Sequence, residues 1–398
     1  MKRVPLPPGF LWGAATSAHQ TEGGNESSDW WVLETMPSSF CEEPSGRAVD
    51  SFHRWREDMD LAAAAGLRDY RFSIEWARIE PTCGSFCDKA LAHYRQMIEG
   101  ALQRGLRPLV TLHHFTCPAW FSGGGGWAAP DAPAAFARYV RRVAGILHGV
   151  EHVGTINEPN VVAAFPKLIA DGPDVLAHGL PEPDEPTAKG LVSAHRQARD
   201  ILHALLPDTR VGWSVSVQDY QPMPGAERVA AAYVHPRQTR FLLESRSDDW
   251  VGVQTYTRIR LGVDGETARP AAPEPAALRT QTGWEYYPAA LGGAIRTAAE
   301  VVGDVPVIVT ENGIATSDDN QRIDYTRGAL AALAATLAEG IDVRGYFHWS
   351  LLDNYEWGTW NPTFGLIAVD RDNFARSPKP SLAWLGAVGS TGFLPAQE

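Results

Sequence analysis

The sequence predicts an α/β protein with one (β/α)8 barrel, the TIM-barrel fold, as a single domain over residues 1–398. Three observations support this prediction. Short β-prone runs alternate with amphipathic helical segments, and eight such pairs can be counted along the chain. Two of the runs end in a glutamate that is followed by a chain-breaking residue, Pro159 in one case and Asn312-Gly313 in the other. A length of 398 residues suits one barrel with insertions.

The first half of the chain supplies four strand–helix pairs. Hydrophobic periodicity predicts strands at residues 10–14, 69–74, 108–112 and 153–156. The helices predicted to follow them lie at residues 52–65, 90–104, 133–147 and 188–206.

The second half repeats the pattern. Strands are predicted at residues 211–217, 250–254, 306–310 and 343–349, and helices at residues 226–243, 288–302, 325–339 and 381–388. A proline-rich stretch at 271–275 falls within the loop after the sixth strand, so we interpret it as an insertion and not as a linker between domains.

Composition excludes several classes of protein. The net charge of -12 has the wrong sign for binding a nucleic-acid backbone. No apolar stretch reaches the length of a membrane span, and the first residues do not resemble a secretion signal, so we expect a cytoplasmic protein without a membrane partner. The four cysteines show no CxxC spacing; we expect free thiols and no metal site.

Two carboxylates are the leading catalytic candidates. Glu158 and Glu311 each follow a β-prone run, and the carboxyl ends of all strands in a parallel barrel meet at one rim. Pro159 is expected to favour an extended backbone at Glu158. Two facing carboxylates can cleave a glycosidic bond. The alternative interpretation is that each is a solvated surface charge, which is the common fate of glutamate.

Other polar and aromatic residues also fall at predicted strand ends, and together they suit a sugar, whose hydroxyls need hydrogen-bond partners and whose C–H faces need aromatic contact. Each has a simpler explanation when taken alone. Trp349 could be a core aromatic, His114 a satisfied interior histidine, and Arg71 a counter-ion for Glu75 or another interior acid. Their common location at the rim favours a binding site. The residues that we select from these strand ends are Gln20, Arg71, His114, Asn157, Tyr256, Trp349, Glu356 and Trp357.

These motifs resemble family 1 of the glycoside hydrolases, the β-glucosidase group of retaining enzymes, from Phe10 to about Ser381. The resemblance rests on segments that occur in the family's order. They are Phe10-Leu11-Trp12-Gly13-Ala14-Ala15-Thr16-Ser17 with Gln20 and Glu22-Gly23, Tyr70-Arg71-Phe72-Ser73-Ile74, Thr155-Ile156-Asn157-Glu158-Pro159, Thr310-Glu311-Asn312-Gly313, and Trp349-Ser350-Leu351-Leu352-Asp353-Asn354-Tyr355-Glu356-Trp357.

The resemblance implies a role for each candidate. Glu311 would be the nucleophile and Glu158 the acid/base, while Arg71 and Tyr256 would hold and polarise Glu311. The expected substrate is a small-molecule β-glucoside without a phosphate group, with galactosyl and fucosyl residues as secondary substrates, and no cofactor is expected. The residues implied to bind the glycone, the sugar being released, are Gln20, His114, Asn157, Trp349, Glu356 and Trp357.

The chain departs from the family pattern at two places. Gln254-Thr255-Tyr256 stands where Asn-Tyr-Tyr is usual, and Phe115-Thr116 replaces a common Trp-Asp pair. Both changes are expected to reshape the glycone pocket. Two other functions stay open at this stage, a transglycosylase that passes the sugar to another hydroxyl and a catalytically silent carbohydrate-binding relative. The sequence does not predict the oligomeric state.

Overall fold

The computed structural model describes residues 4–171 and 179–395. Within them, eight parallel strands close into a barrel, which confirms the predicted fold class. In chain order the barrel strands are β1 (Leu11–Ala15), β2 (Asp69–Ser73), β3 (Arg107–Thr111), β4 (His152–Asn157), β5 (Arg210–Ser216), β6 (Trp250–Gln254), β7 (Val307–Asn312) and β8 (Val343–Trp349).

Closure of the barrel depends on the pairing of the first and last strands. Ala15 of β1 lies opposite Trp349 of β8 on one side and opposite Arg71 of β2 on the other. Gly13 is required in β1, because a Cβ atom there would lie 2.0 Å from the carbonyl oxygen of Asp69. All eight strands run in the same direction, so their carboxyl ends form a single rim.

Eight helices follow the strands around the outside. They are α1 (Ser51–Ala64), α2 (Asp88–Gln103), α3 (Ala132–Ala144), α4 (Glu185–Leu205), α5 (Glu227–Val234, continued below), α6 (Ala290–Val302), α7 (Asp319–Ala338) and α8 (Pro380–Thr391). The main hydrophobic core lies between this helical layer and the strands, where the inward faces of the helices pack on residues such as Trp12 and Trp213.

Two helices differ from the prediction. Helix α5 was predicted as one continuous helix, but its α-helical turns end at Val234; a π-helical segment, His235–Thr239, follows, and a short α-helix, Arg240–Glu244, completes it. Pro236 lies in the π-helical segment and has no backbone N–H to give to an α-helical bond. Helix α7 begins six residues before the predicted start, because the Asp318 side chain caps it by accepting from the Asn320 N–H at 3.0 Å.

The rim carries most of the remaining elements. Strands Asp219–Pro222, Arg258–Asp264 and Thr267–Pro270 form a three-stranded sheet that the sequence pattern did not predict. The proline-rich stretch 271–275 follows the last of these strands, inside the loop after β6, as predicted. Shorter pairs join Val4–Pro5 to Phe393–Leu394 and Ile367–Val369 to Arg376–Pro378. Short helices lie at Ala18–Glu22, Asp29–Thr35, Trp76–Ile79, Ala119–Gly123, Gly126–Ala128, Pro159–Val162, Phe165–Asp171 and Ser245–Ser247.

The four cysteines are free thiols, as predicted. In the two described ranges, no helix has both the length and the apolar character that a membrane crossing requires. The cytoplasmic location stays a prediction from the sequence.

Candidate active site

Both candidate carboxylates lie at the rim, each beside an irregularity in its strand. The pairing of β4 with β5 shifts register between Gly154 and Asn157, just before Glu158. The pairing of β7 with β6 shifts between Val309 and Glu311. A shift of this kind changes the direction in which a side chain points. It is the local feature that turns each glutamate toward the mouth of the barrel.

The backbone at Glu158 differs from the prediction. It is left-handed, with φ 44° and ψ 61°, and not extended. Pro159 disfavours the right-handed helical region for the residue before it, and the chain meets this restriction by entering the left-handed region as the helix Pro159–Val162 begins. The Glu158 N–H donates to the Ser214 carbonyl of β5 at 2.7 Å, which holds this uncommon conformation in place.

Three donors surround the carboxylate of Glu311, which is only 5% exposed. Arg71 Nη1 donates to Oε1 at 2.6 Å, and Gln254 Nε2 donates to the same oxygen at 2.8 Å. The Tyr256 hydroxyl donates to Oε2 at 2.6 Å. Arg71 is thus the counter-ion of an interior acid, and that acid is Glu311 and not Glu75.

Gln254 connects two residues of the hydrogen-bond network around Glu311. Its Nε2 donates both to Glu311 Oε1 and to Asn157 Oδ1, each at 2.8 Å. Arg71 Nη2 also donates to Asn157 Oδ1, at 2.5 Å. The departure predicted to reshape the glycone pocket therefore links the Glu311 carboxylate to the amide of Asn157, the neighbour of the second carboxylate.

The two carboxyl groups differ in their electrostatic surroundings. Burial, reinforced by the charge of Glu311, raises the pKa of Glu158 to about 8. Burial also raises the pKa of Glu311, but Arg71, Tyr256 and Gln254 stabilise its anion and oppose that rise. The negative charge of Glu311 makes Glu158 hold its proton more tightly. Hydrogen bonds to the ionised form of Glu311 make Glu311 hold its proton less tightly. The ion pair with Arg71 therefore favours Glu311 as the ionised member of the pair, and the pKa of about 8 favours Glu158 as the protonated one.

Aromatic rings and His114 line the other side of the site. The His114 ring lies nearly parallel to Trp349, at a centroid distance of 5.8 Å, and nearly parallel to Trp357, at 6.2 Å. His114 Nδ1 is buried without a hydrogen-bond partner, and burial lowers the pKa of this imidazole well below its usual value. His114 is thus a neutral ring with a free polar atom, which does not fit the alternative of a satisfied interior histidine.

Glu356 and Gln20 lie beside these rings. Burial raises the pKa of Glu356 well above its usual value, while Trp349 and Gln20 oppose the rise, and its Oε1 is buried without a partner. Gln20 Nε2 donates to the Tyr355 carbonyl at 2.8 Å, which fixes its amide next to Glu356. A buried carboxyl oxygen of this kind can accept a hydrogen bond from a sugar hydroxyl.

Comparison with known proteins identifies the family. The sequence model for glycosyl hydrolase family 1 matches residues 2–245 and 242–392, nearly the whole chain. The chain belongs to glycosyl hydrolase family 1. Its motifs and its barrel agree with this membership.

Members of family 1 with known names and structures resemble the chain over almost its full length. The crystal structure of the β-glycosidase BGL167 is 43% identical, with a TM-score of 0.89, and the match covers 99% of each chain. A β-glucosidase from Agrobacterium sp. is 29% identical over 97% of this chain and 95% of its own. A Thermotoga maritima β-glucosidase solved with glucoimidazole is 26% identical, with a TM-score of 0.89, over 98% of this chain and 99% of its own.

Three residues of this family 1 site were not among the predicted site residues. Ser216, at the end of β5, lies close enough to Glu158 to oppose the rise in its pKa. Trp284, in the loop after β6, is 42% exposed and lies 5.6 Å from the ring of Tyr256. The sequence signal that could have identified Trp284 is a tryptophan within a polar loop that follows a strand end. His19, next to Gln20, lies 5.7 Å from Trp357 and parallel to it, and no pattern in the sequence indicated this contact.

Proposed function

We propose that this family 1 member is a retaining β-glucosidase that hydrolyses terminal β-D-glucosyl residues in two steps through a covalent glycosyl-enzyme intermediate. The observation that carries the proposal is the unequal pair of carboxyls. Glu311 is held ionised by Arg71, Tyr256 and Gln254, while Glu158 has a pKa of about 8 and keeps its proton. One ionised and one protonated carboxyl in the same site are what a retaining glycosidase needs.

In the first step, a carboxylate oxygen of Glu311 forms a bond to the anomeric carbon. The bond from that carbon to the glycosidic oxygen breaks, and the Glu158 proton passes to the departing oxygen. The aglycone leaves as an alcohol, and Glu158 is left as a carboxylate. Arg71 and Tyr256 keep the attacking carboxylate in position.

In the second step, Glu158 acts as a base. Once Glu311 is esterified its negative charge is gone, so the Coulombic contribution that helps to raise the pKa of Glu158 is also gone. Glu158 can then take a proton from water while the water oxygen attacks the anomeric carbon. The bond to Glu311 breaks, and the sugar leaves with its original configuration.

The glycone pocket supports a glucoside without a phosphate group. Glu356 presents a buried oxygen without a partner, beside Trp349 and Gln20. A buried carboxyl exchanges hydrogen bonds with sugar hydroxyls, whereas a phosphate, which carries about two negative charges at neutral pH, is costly to bury beside it. Relatives named as β-glucosidases, and a Thermotoga maritima structure solved with glucoimidazole, support the gluco configuration.

The test replaces each carboxylate and adds azide as an external nucleophile. With Glu311→Gly, azide is expected to attack from the face that Glu311 occupied and to yield an α-glycosyl azide from an aryl β-glucoside. With Glu158→Ala, Glu311 still forms the intermediate, and azide is expected to replace water and yield the β-azide. Without azide, each change should lower kcat by roughly three orders of magnitude or more.

The wild-type protein with azide is the control, and it should release glucose. Identification of the products by NMR decides the assignment. The same anomer from both variants would show that the roles of Glu158 and Glu311 are assigned wrongly. Product analysis of the wild type with an added alcohol separates hydrolysis from transfer, since a transglycosylase would release mainly the alkyl glucoside.

A further inference from the structure

Behind Trp357 lies a buried acid–histidine pair, made by Glu34 and His19. His19 is in the short helix after β1, and Glu34 is in the helix Asp29–Thr35. Their side chains are fully buried, and His19 Nε2 lies 3.5 Å from Glu34 Oε2. The other carboxylate oxygen of Glu34 accepts from the Ser45 hydroxyl at 2.5 Å. Neither residue takes part in the proposed chemical steps.

The His19 ring continues the series of rings that lines the site. It lies parallel to Trp357 within 8°, at a centroid distance of 5.7 Å, and Trp357 is in turn parallel to His114 within 10°. On its other ring nitrogen, His19 Nδ1 lies 3.1 Å from the amide nitrogen of Asn25. The hydrogen bond from Asn25 and the 3.5 Å contact with Glu34, which is longer than a well-formed hydrogen bond, restrict the His19 ring from two sides, and the ring lies parallel to the indole.

Trp357 needs support of this kind. Its backbone has φ 50°, in the left-handed region, which disfavours a residue with a large side chain. Such a conformation persists only where the surrounding contacts determine it. The indole is half-buried, with Trp30 edge-on at 4.9 Å and Phe115 tilted at 4.9 Å, so part of its surface stays exposed.

We propose that the Glu34–His19 pair is a positioning device that holds the Trp357 indole in the orientation in which it binds the glycone. The inference rests on the proposed function, because it assigns Trp357 to the sugar-binding wall. It concerns binding and not bond cleavage, since neither partner contacts Glu158 or Glu311 in the hydrogen-bond network described above. Burying polar groups in a core costs free energy unless they are well paired, which favours a role for these two residues in specifying an orientation.

The chain contains a matched control. His195 is also fully buried, lies 3.1 Å from Asp248 Oδ1, and stacks on Trp213 at 4.1 Å. Trp213 is fully buried in β5, and its indole nitrogen donates to Ser245 at 2.7 Å, so this tryptophan is not available to a ligand. Removing His195 therefore reproduces the loss of a buried imidazole paired with a carboxylate, without changing the sugar-binding wall.

The experiment compares wild type, His19→Ala, Glu34→Gln and His195→Ala. KM and kcat are measured with an aryl β-glucoside, and Kd is measured with glucoimidazole by calorimetry. We expect His19→Ala to raise both KM and Kd by about tenfold, with kcat within about threefold of wild type. Glu34→Gln keeps the bond from Ser45 but removes the charge, and a smaller rise of about threefold in the same two quantities is expected. His195→Ala should lower Tm and leave KM and Kd within about twofold of wild type.

The outcomes separate this inference from the proposed function. A wild-type protein that neither hydrolyses the glucoside nor binds glucoimidazole would refute the proposed function. An active wild type with both KM and Kd unchanged in Glu34→Gln and His19→Ala would overturn only the positioning role. An equal rise of KM and Kd in His195→Ala would also overturn it, because the effect would then follow from general loss of stability. If His19→Ala does not fold, Glu34→Gln alone decides the question.

Discussion

At the scale of single residues, the ionisation of Glu311 depends on which donors bind each of its two carboxylate oxygens. Oε1 of Glu311 accepts from Arg71 and Gln254, while Oε2 accepts only from the Tyr256 hydroxyl. One of the oxygens must give up electron density when the bond to the sugar forms. Tyr256 is therefore the donor whose removal changes Glu311 most selectively, because the ion pair with Arg71 is left in place.

We expect Tyr256→Phe to lower kcat/KM by about 10- to 100-fold. Its pH profile should also change. Tyr256 stabilises the ionised form of Glu311, so its removal raises the pKa of Glu311, and the acid limb of the kcat/KM profile moves to higher pH. The alkaline limb follows Glu158, with its pKa of about 8, and should move little.

The control for this prediction is Tyr286→Phe, at a half-buried tyrosine that packs edge-on against Tyr325 at 5.4 Å. Its profile should match the wild type. An acid limb that stays in place or moves to lower pH in Tyr256→Phe would contradict the role given to this hydroxyl.

The residue scale also shows where sequence reasoning reached its limit. The identity of Glu158 and Glu311 as strand-end carboxylates could be predicted, because a β-prone run before a breaker is a local signal. The left-handed backbone of Glu158 could not, since it depends on the bond from its N–H to Ser214 of the neighbouring strand. The bridging contacts of Gln254 likewise depend on three separate strands coming together.

At the scale of elements, the junction after β2 contains a buried carboxyl, that of Glu75, which forms no ion pair with any residue that the structure describes. Glu75 caps the helix Trp76–Ile79 by accepting from the Ala77 N–H at 3.1 Å, and it accepts from the Thr116 hydroxyl at 2.7 Å. Burial raises the pKa of Glu75 to about 7. This carboxyl therefore binds its proton more tightly in the folded protein than in the unfolded chain, whose ordinary value is 4.5.

The raised pKa of Glu75 makes the stability of the folded protein depend on pH. Between pH 4.5 and 7 the folded state holds more protons at Glu75 than the unfolded state, so stability falls as the pH rises through this window. Glu75→Gln keeps an acceptor for the two donors and removes the titration. The wild type should lose unfolding free energy as the pH rises from 5 to 8. From the two pKa values we expect this loss to be smaller in Glu75→Gln than in the wild type by roughly 3 kcal/mol.

Chemical denaturation at pH 5 and at pH 8 measures this difference. Glu99→Gln, which changes a carboxylate whose side chain is 56% exposed, is the control and should show the wild-type pH dependence. If Glu75→Gln and Glu99→Gln give the same difference between the two pH values, Glu75 is not the titrating group.

The elements of the barrel were predictable, but their exact ends and the additions at the rim were not. Alternating β and helical periodicity located all eight strands to within a few residues. The early start of α7 depends on a cap by Asp318, a signal that the periodicity does not contain. The three-stranded sheet depends on pairing between Asp219–Pro222 and Arg258–Asp264, which are far apart in sequence.

At the scale of the whole molecule, the stabilising contacts and the catalytic groups occupy different parts of the same barrel. The site groups lie at the carboxyl rim, while the first and last described strands pair elsewhere: Val4 pairs with Leu394, and Pro5 pairs with Phe393. Leu394 is fully buried within the main hydrophobic core, although it lies in a strand of two residues. This pairing joins the first described strand to the last. The sequence pattern did not predict it, because a strand of two residues shows no periodicity.

We expect Leu394→Ala to lower the free energy of unfolding by about 2–5 kcal/mol, the usual effect of truncating a buried leucine. Because the substitution is remote from the rim, the kcat and KM of the folded protein should stay at their wild-type values. Phe393→Ala is the matched control, since it changes the adjacent residue of the same strand, whose side chain is 41% exposed, and it should cause a clearly smaller loss. Denaturant midpoints measured alongside glucoside hydrolysis below the transition test both parts. A fall in kcat/KM at temperatures where Leu394→Ala is fully folded would show that the chain-end pairing is coupled to the site and not only to stability.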